Sequence, residues 1–143
     1  MLPRTLAVAI VLCGLVGGCA QNSGTPANPN VALPAPAKPY ANVDANQFEA
    51  LARQPNTVIL DVRSAGEYAD GHLAGAVNID VNSPDFEERV AKLDKSKVYV
   101  VHCRSGGRSA RACGELTGKG FGTLYNLDGG INAWLAAGKP VEK

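Results

Sequence analysis

The apolar run Val98-Tyr99-Val100-Val101 stops at His102-Cys103. The small, basic turn Arg104-Ser105-Gly106-Gly107-Arg108 follows, and Ser109 to Thr117 then reads as a helix. A strand that is apolar at every position has both faces buried, which is the mark of a parallel sheet covered by helices. A strand feeding a helix through a short turn is the repeating unit of such a sheet. The rest of the chain repeats the alternation. Asp44 and Gln47 have capping-box spacing for a short helix through Phe48 and Leu51 to Arg53, and Thr57-Val58-Ile59-Leu60 is a strand ending at Asp61. Ser64 and Glu67 cap a second short helix, Gly75 to Ile79 reads as a strand, and Pro84 to Leu93 as a helix. Thr123 to Leu127 and Ile131 to Ala137 complete the pattern as strand and helix. The expected fold is α/β: a small parallel sheet of four to five strands with helices on both faces. Ligands of such sheets bind beyond the carboxyl ends of the strands, where Cys103 lies.

The turn itself has the composition of an anion cradle. The first N–H groups of a helix lack intrahelical partners, and the helix dipole favours negative charge there. Glycines let successive amides converge on one centre. A cysteine in that position beside Arg104 and Arg108 should have a lowered pKa and react as thiolate. Asp61 and Arg63, at the end of the neighbouring strand, either orient the loop as supporting residues or pair structurally with each other or with neighbours, and structural pairing is the expected role. His72 and His102 read as structural, and Trp134 as core packing with Ile131 and Leu135. Two histidines and the thiols have no close ligand spacing, so neither metal nor cofactor is expected.

The 143 residues carry 14 basic and 13 acidic side chains, so no charge excess points to nucleic acid. The N-terminus is different in kind. Leu6 to Val16 is an apolar segment of secretory-signal length, too short for the ~20 residues that span a bilayer. Leu15-Val16-Gly17-Gly18-Cys19 resembles the lipobox of bacterial lipoproteins, in which the cysteine is acylated and becomes the new N-terminus. The expected organisation is a signal peptide over 1–18, a lipidated Cys19 with a Pro/Asn/Ala-rich tether over 19–40, and one globular domain over 41–143. Ala20 resembles the residue of lipoproteins sent to the outer membrane, which implies a lipid-anchored protein of the bacterial envelope on the periplasmic face of the outer membrane. Cys103 and Cys113 are then the two thiols of the domain in an oxidising compartment. Cys113, on the helix after the loop, is expected to face the sheet as a small hydrophobe and not to bridge Cys103.

Three stretches together resemble the single-domain rhodaneses, the thiosulfate sulfurtransferases, over Val43 to Pro140. They are Leu60 to Asn78 (LDVRSAGEYADGHLAGAVN), the Cys103–Arg108 loop, and Leu127 to Pro140 (LDGGINAWLAAGKP). With the lipobox, the chain is similar to small exported rhodaneses of the phage-shock type. The resemblance implies sulfur transfer from thiosulfate or a similar donor to cyanide or a thiol, through a persulfide on Cys103. It implies an anion cradle of Arg104, Ser105, Gly106, Gly107, Arg108 and Ser109. The loop holds four residues between Cys103 and Arg108, where phosphatases of this fold hold five, so sulfur transfer is favoured over phosphatase or arsenate reductase chemistry. A persulfide-carrying or sensing interaction module is the remaining alternative.

Overall fold

The computed structural model describes residues 39–143. The expected signal peptide, the lipobox with Cys19, and the tether as far as Lys38 lie outside the described residues. Five parallel strands form one sheet in the order β1-β5-β4-β2-β3: β1 Ala41–Val43, β2 Thr57–Asp61, β3 Val77–Asn78, β4 Val98–His102 and β5 Thr123–Leu127. The helices are α1 Ala45–Ala52, α2 Ala65–Asp70, α3 Phe86–Ala91, α4 Gly107–Gly118 and α5 Gly130–Ala136.

Alternation along the central strand divides the core. Tyr99, Val101 and Cys103 point with Leu60, Val62 and Leu124 toward Ala112, Cys113 and Leu116 of α4 and Phe86 and Val90 of α3. His102 points the other way, where its ring meets the edge of Phe48 from α1 at 6.1 Å; Phe48 in turn meets Trp134 of α5. Helices therefore cover both faces of the sheet, as continuous apolar strands require. Both anticipated capping boxes form, Asp44 with Gln47 on α1 and Ser64 with Glu67 on α2.

Three expected boundaries move. The strand read from Gly75 to Ile79 shrinks to Val77–Asn78, because Gly75 sits in a left-handed turn (φ +75°) closed by the Ala76 N–H to Leu73 carbonyl bond. The helix read over Pro84 to Leu93 is only Phe86–Ala91, since Ser83 to Phe86 is taken by a turn. The third change is at α4. It begins at Gly107, two residues earlier than expected, after Gly106 takes a left-handed φ of +98°. Arg108 thus belongs to the first turn of a helix and not to the loop before it.

Candidate active site

Cys103 directly follows β4 and lies at the N-terminus of the 12-residue helix α4. Its sulfur accepts the Gly106 N–H at 3.1 Å. The Ser109 hydroxyl stands 3.4 Å from the sulfur and 3.1 Å from the Gly106 carbonyl, with one proton to give. Burial works to raise the thiol's pKa. The Ser109 hydroxyl and the N–H groups of Ser109, Ser105 and Gly106 together outweigh it, and the net shift is downward. Of the amides from Arg104 to Ser109 that were expected to form the cradle, these three bear on the sulfur. The residue is only 1% exposed.

The two arginines are not equivalent. Arg108 forms a forked pair with Glu67 of α2, Nη1 to Oε2 at 2.8 Å and Nη2 to Oε1 at 2.7 Å. Glu67 also accepts from the Ser64 N–H and hydroxyl, both at 3.2 Å. The Arg108 bond, against an opposing burial cost, holds the Glu67 carboxyl down at about 2. The Arg104 guanidinium has no ion-pair partner among the described residues and lines a groove of about 340 Å³ with Arg63, Glu67, Ile131, Leu135 and Val141. Both arginines were expected to be open to a donor's sulfonate; Arg108 instead already holds a carboxylate.

With this geometry in view, the comparisons fall into line. The family model for the rhodanese-like domain matches residues 44–137. The chain belongs to the rhodanese-like domain family. It is 36% identical over 98 residues to a thiosulfate sulfurtransferase, GlpE, of Pseudomonas savastanoi, covering 68% of this chain and 89% of that one. It is 39% identical over 92 residues to a putative sulfurtransferase, YtwF, of Bacillus subtilis, covering 64% and 86%. Among solved structures, a rhodanese-related protein from Thermoplasma volcanium superposes with a TM-score of 0.64 at 30% identity, covering 72% of this chain and 98% of that one.

The loop of this rhodanese-like domain is held from behind. Ile131 and Asn132, at the start of α5, donate to the carbonyls of Cys103 (2.8 Å) and Arg104 (3.1 Å). Gly130 makes that approach possible. Its φ is +58°, and a Cβ there would sit 2.5 Å from the Cys103 carbonyl oxygen. Gly106 is confined likewise, with the Gly129 N and Leu127 carbonyl O 3.1 and 3.2 Å from an added Cβ. This support was not anticipated; a pair of glycines opening a helix after a strand is the signal for it in the sequence. Glu67 was read as a cap alone.

Asp61 and Arg63 pair as expected, fully inside the protein, with Arg63 Nη2 at 2.6 Å from Asp61 Oδ2 and 2.8 Å from the Gly71 carbonyl. Asn78 Nδ2 donates to the Asp61 and Arg63 carbonyls at 3.0 and 2.8 Å, fixing this turn against β3. His102 is buried and its Nε2 lies 3.6 Å from Asp61; burial lowers its pKa, and Asp61 only partly offsets that. His72 stacks on Tyr68 and places Nδ1 3.0 Å from the Tyr68 carbonyl, with its backbone bridged to Glu142, so it ties α2 to the C-terminal segment. Trp134 packs in the core with Ile131 and donates to the Pro140 carbonyl at 2.8 Å, whereas Leu135, expected beside them, is exposed on the outer side of α5. Ser105 is exposed in the loop and Gly107 opens α4 with free space around it. Cys103 and Cys113 are both free thiols; burial, with the neighbouring Cys103 charge adding to it, pushes Cys113 up to about 12.

Proposed function

We propose that the protein is a sulfurtransferase that takes sulfane sulfur from thiosulfate or a similar small anion and passes it to cyanide or a thiol. The observation that carries this is the Cys103 sulfur seated on the Gly106 N–H at a helix N-terminus, with a lowered pKa. The relatives named as sulfurtransferases support the same chemistry. Cys103 thiolate attacks the outer sulfur of thiosulfate. The new S–S bond forms on Cys103 as the old one breaks, and its electron pair leaves with sulfite. The persulfide anion then sits where the loop amides stabilise charge. An acceptor nucleophile attacks the outer sulfur and restores the thiolate, so the kinetics are ping-pong. With thiosulfate as donor and an anionic acceptor, cyanide or a thiolate that has already given its proton to solvent, neither step needs a general base, which leaves His102, pointed at the opposite face of the sheet, without a part in the chemistry. In the cell the acceptor is a thiol, and the protein acts from the membrane through lipidated Cys19.

Intact mass after thiosulfate treatment is the test. Wild type should gain one sulfur atom, lost again with cyanide as thiocyanate appears, and Cys103→Ser should gain none. Hydrolysis of p-nitrophenyl phosphate without thiocyanate formation would overturn the reading.

A further inference from the structure

A cation that feels the charge of the reactive sulfur is already occupied. Arg108 stands close enough to Cys103 for the thiolate to help raise the guanidinium's pKa, but the larger cause is the Glu67 carboxylate clasped on its forked face. That face is the one a sulfonate would use, because planar guanidinium groups pair with carboxylates and oxyanions through the same two parallel bonds. Glu67 cannot readily swing aside, since Ser64 holds it by both N–H and hydroxyl at the start of α2. Asp80 adds a further negative charge acting on Arg108. One cation therefore faces Glu67, Asp80 and the thiolate itself, an unfavourable field for a dianion.

We propose that Glu67 is a specificity-determining residue: its carboxylate competes with the donor for Arg108 and weights the site against doubly charged donors relative to singly charged ones. This rests on the sulfur-transfer reading above and concerns the donor class of the same site. A donor with its sulfur on a singly charged thiosulfonate should lose less to this competition than thiosulfate. Glu67 does not touch the reacting sulfur in this scheme; it acts through Arg108.

Glu67→Gln is the discriminating change, because Gln at this position can still complete the capping box of α2 and still accept from Arg108 while removing the charge. In a ping-pong reaction, kcat/KM for the donor reports sulfur loading alone. The expected result is a rise of about three- to tenfold in kcat/KM for thiosulfate, the scale of one partly exposed charge acting on a dianion. For methanethiosulfonate the rise should be about the square root of that factor. Sulfate, a dianion that cannot react, should become a tighter competitive inhibitor of thiosulfate by a similar factor. Glu67→Ala, which keeps Ser64 as the cap, should shift the two donors in the same unequal way should the Gln variant fail to fold. A purely structural Glu67 would move both donors by the same factor, or lower kcat/KM for thiosulfate; either result overturns the proposal. Failure of the sulfur-transfer reading looks different, since wild type would then yield no thiocyanate from either donor.

Discussion

At the scale of single residues, the proposed chemistry rests on the Cys103 thiolate, whose hydrogen bonds set its readiness. With its pKa below the ordinary thiol value, the rising limb of sulfur loading against pH should lie below that value, because the reactive anion is already populated there. Ser109→Ala removes the one hydroxyl donor to the sulfur. The limb should move upward by about one unit, the equivalent of one weak charge-assisted hydrogen bond. The pH profile of kcat/KM for thiosulfate, or of iodoacetamide alkylation, measures it; an unmoved limb would contradict the role given to Ser109. Arg108→Ala deletes the cation and leaves the Glu67 carboxylate without its ion-pair partner, so thiosulfate turnover should fall. A charge-assisted contact of about 1.5–3 kcal/mol corresponds to about 10- to 150-fold in rate. Unchanged thiosulfate kinetics would exclude Arg108 from donor binding. Cys113 is a different case. It is fully buried against the sheet and pushed up to about 12, so Cys113→Ala should keep most of the activity, and peptide maps of oxidised protein should show no Cys103–Cys113 disulfide.

Between elements, the site depends on contacts that join α2, α4 and α5 around the end of β4. The α5 contact is backbone to backbone, and Gly130 is its weak point. Gly130→Ala would need a left-handed φ and a Cβ within 2.5 Å of a carbonyl oxygen, so the loop or α5 must shift. Backbone strain of this kind costs about 1–3 kcal/mol, and the denaturation midpoint should drop accordingly, with activity falling further because the cradle is displaced. The Glu67–Arg108 contact is ionic and titrates. A carboxyl held down at about 2 in the folded protein, against 4.5 unfolded, contributes stability that is complete above the unfolded value and lost as pH falls toward 2. Wild type should therefore lose stability across that acidic window, and Glu67→Gln should lose less, in urea melts taken along the pH series. What the sequence could and could not show follows the same division. The caps on Asp44 and Ser64 were legible because they are local, three residues apart in the chain. The Glu67–Arg108 pair joins residues 41 apart, and the Gly130 contact exists only once β4 and β5 are neighbours in the sheet.

For the whole molecule, the α/β alternation was readable because parallel strands buried on both faces are apolar at nearly every position, as in Val98 to Val101. β1 was not anticipated: three residues, Ala41–Val43, with little apolar pattern, form a strand because β5 offers an unpaired edge beside them. The remaining question at this scale is where the domain works. Leu15-Val16-Gly17-Gly18-Cys19 resembles a lipobox, and the lipid anchor proposed above rests on it. One acyl chain binds a membrane only marginally, so stable attachment requires the multiple acylation that a lipobox cysteine receives. Full-length wild type should partition into the detergent phase and into membranes with Cys19 as its first residue. Cys19→Ser should appear as soluble protein or as uncleaved precursor, while thiosulfate-to-cyanide transfer persists, because the substitution lies far in sequence from Cys103 and outside the matched residues 44–137. A wild-type N-terminus at any other residue, or unchanged membrane attachment of Cys19→Ser after cleavage, would overturn the anchor and leave the sulfur chemistry standing.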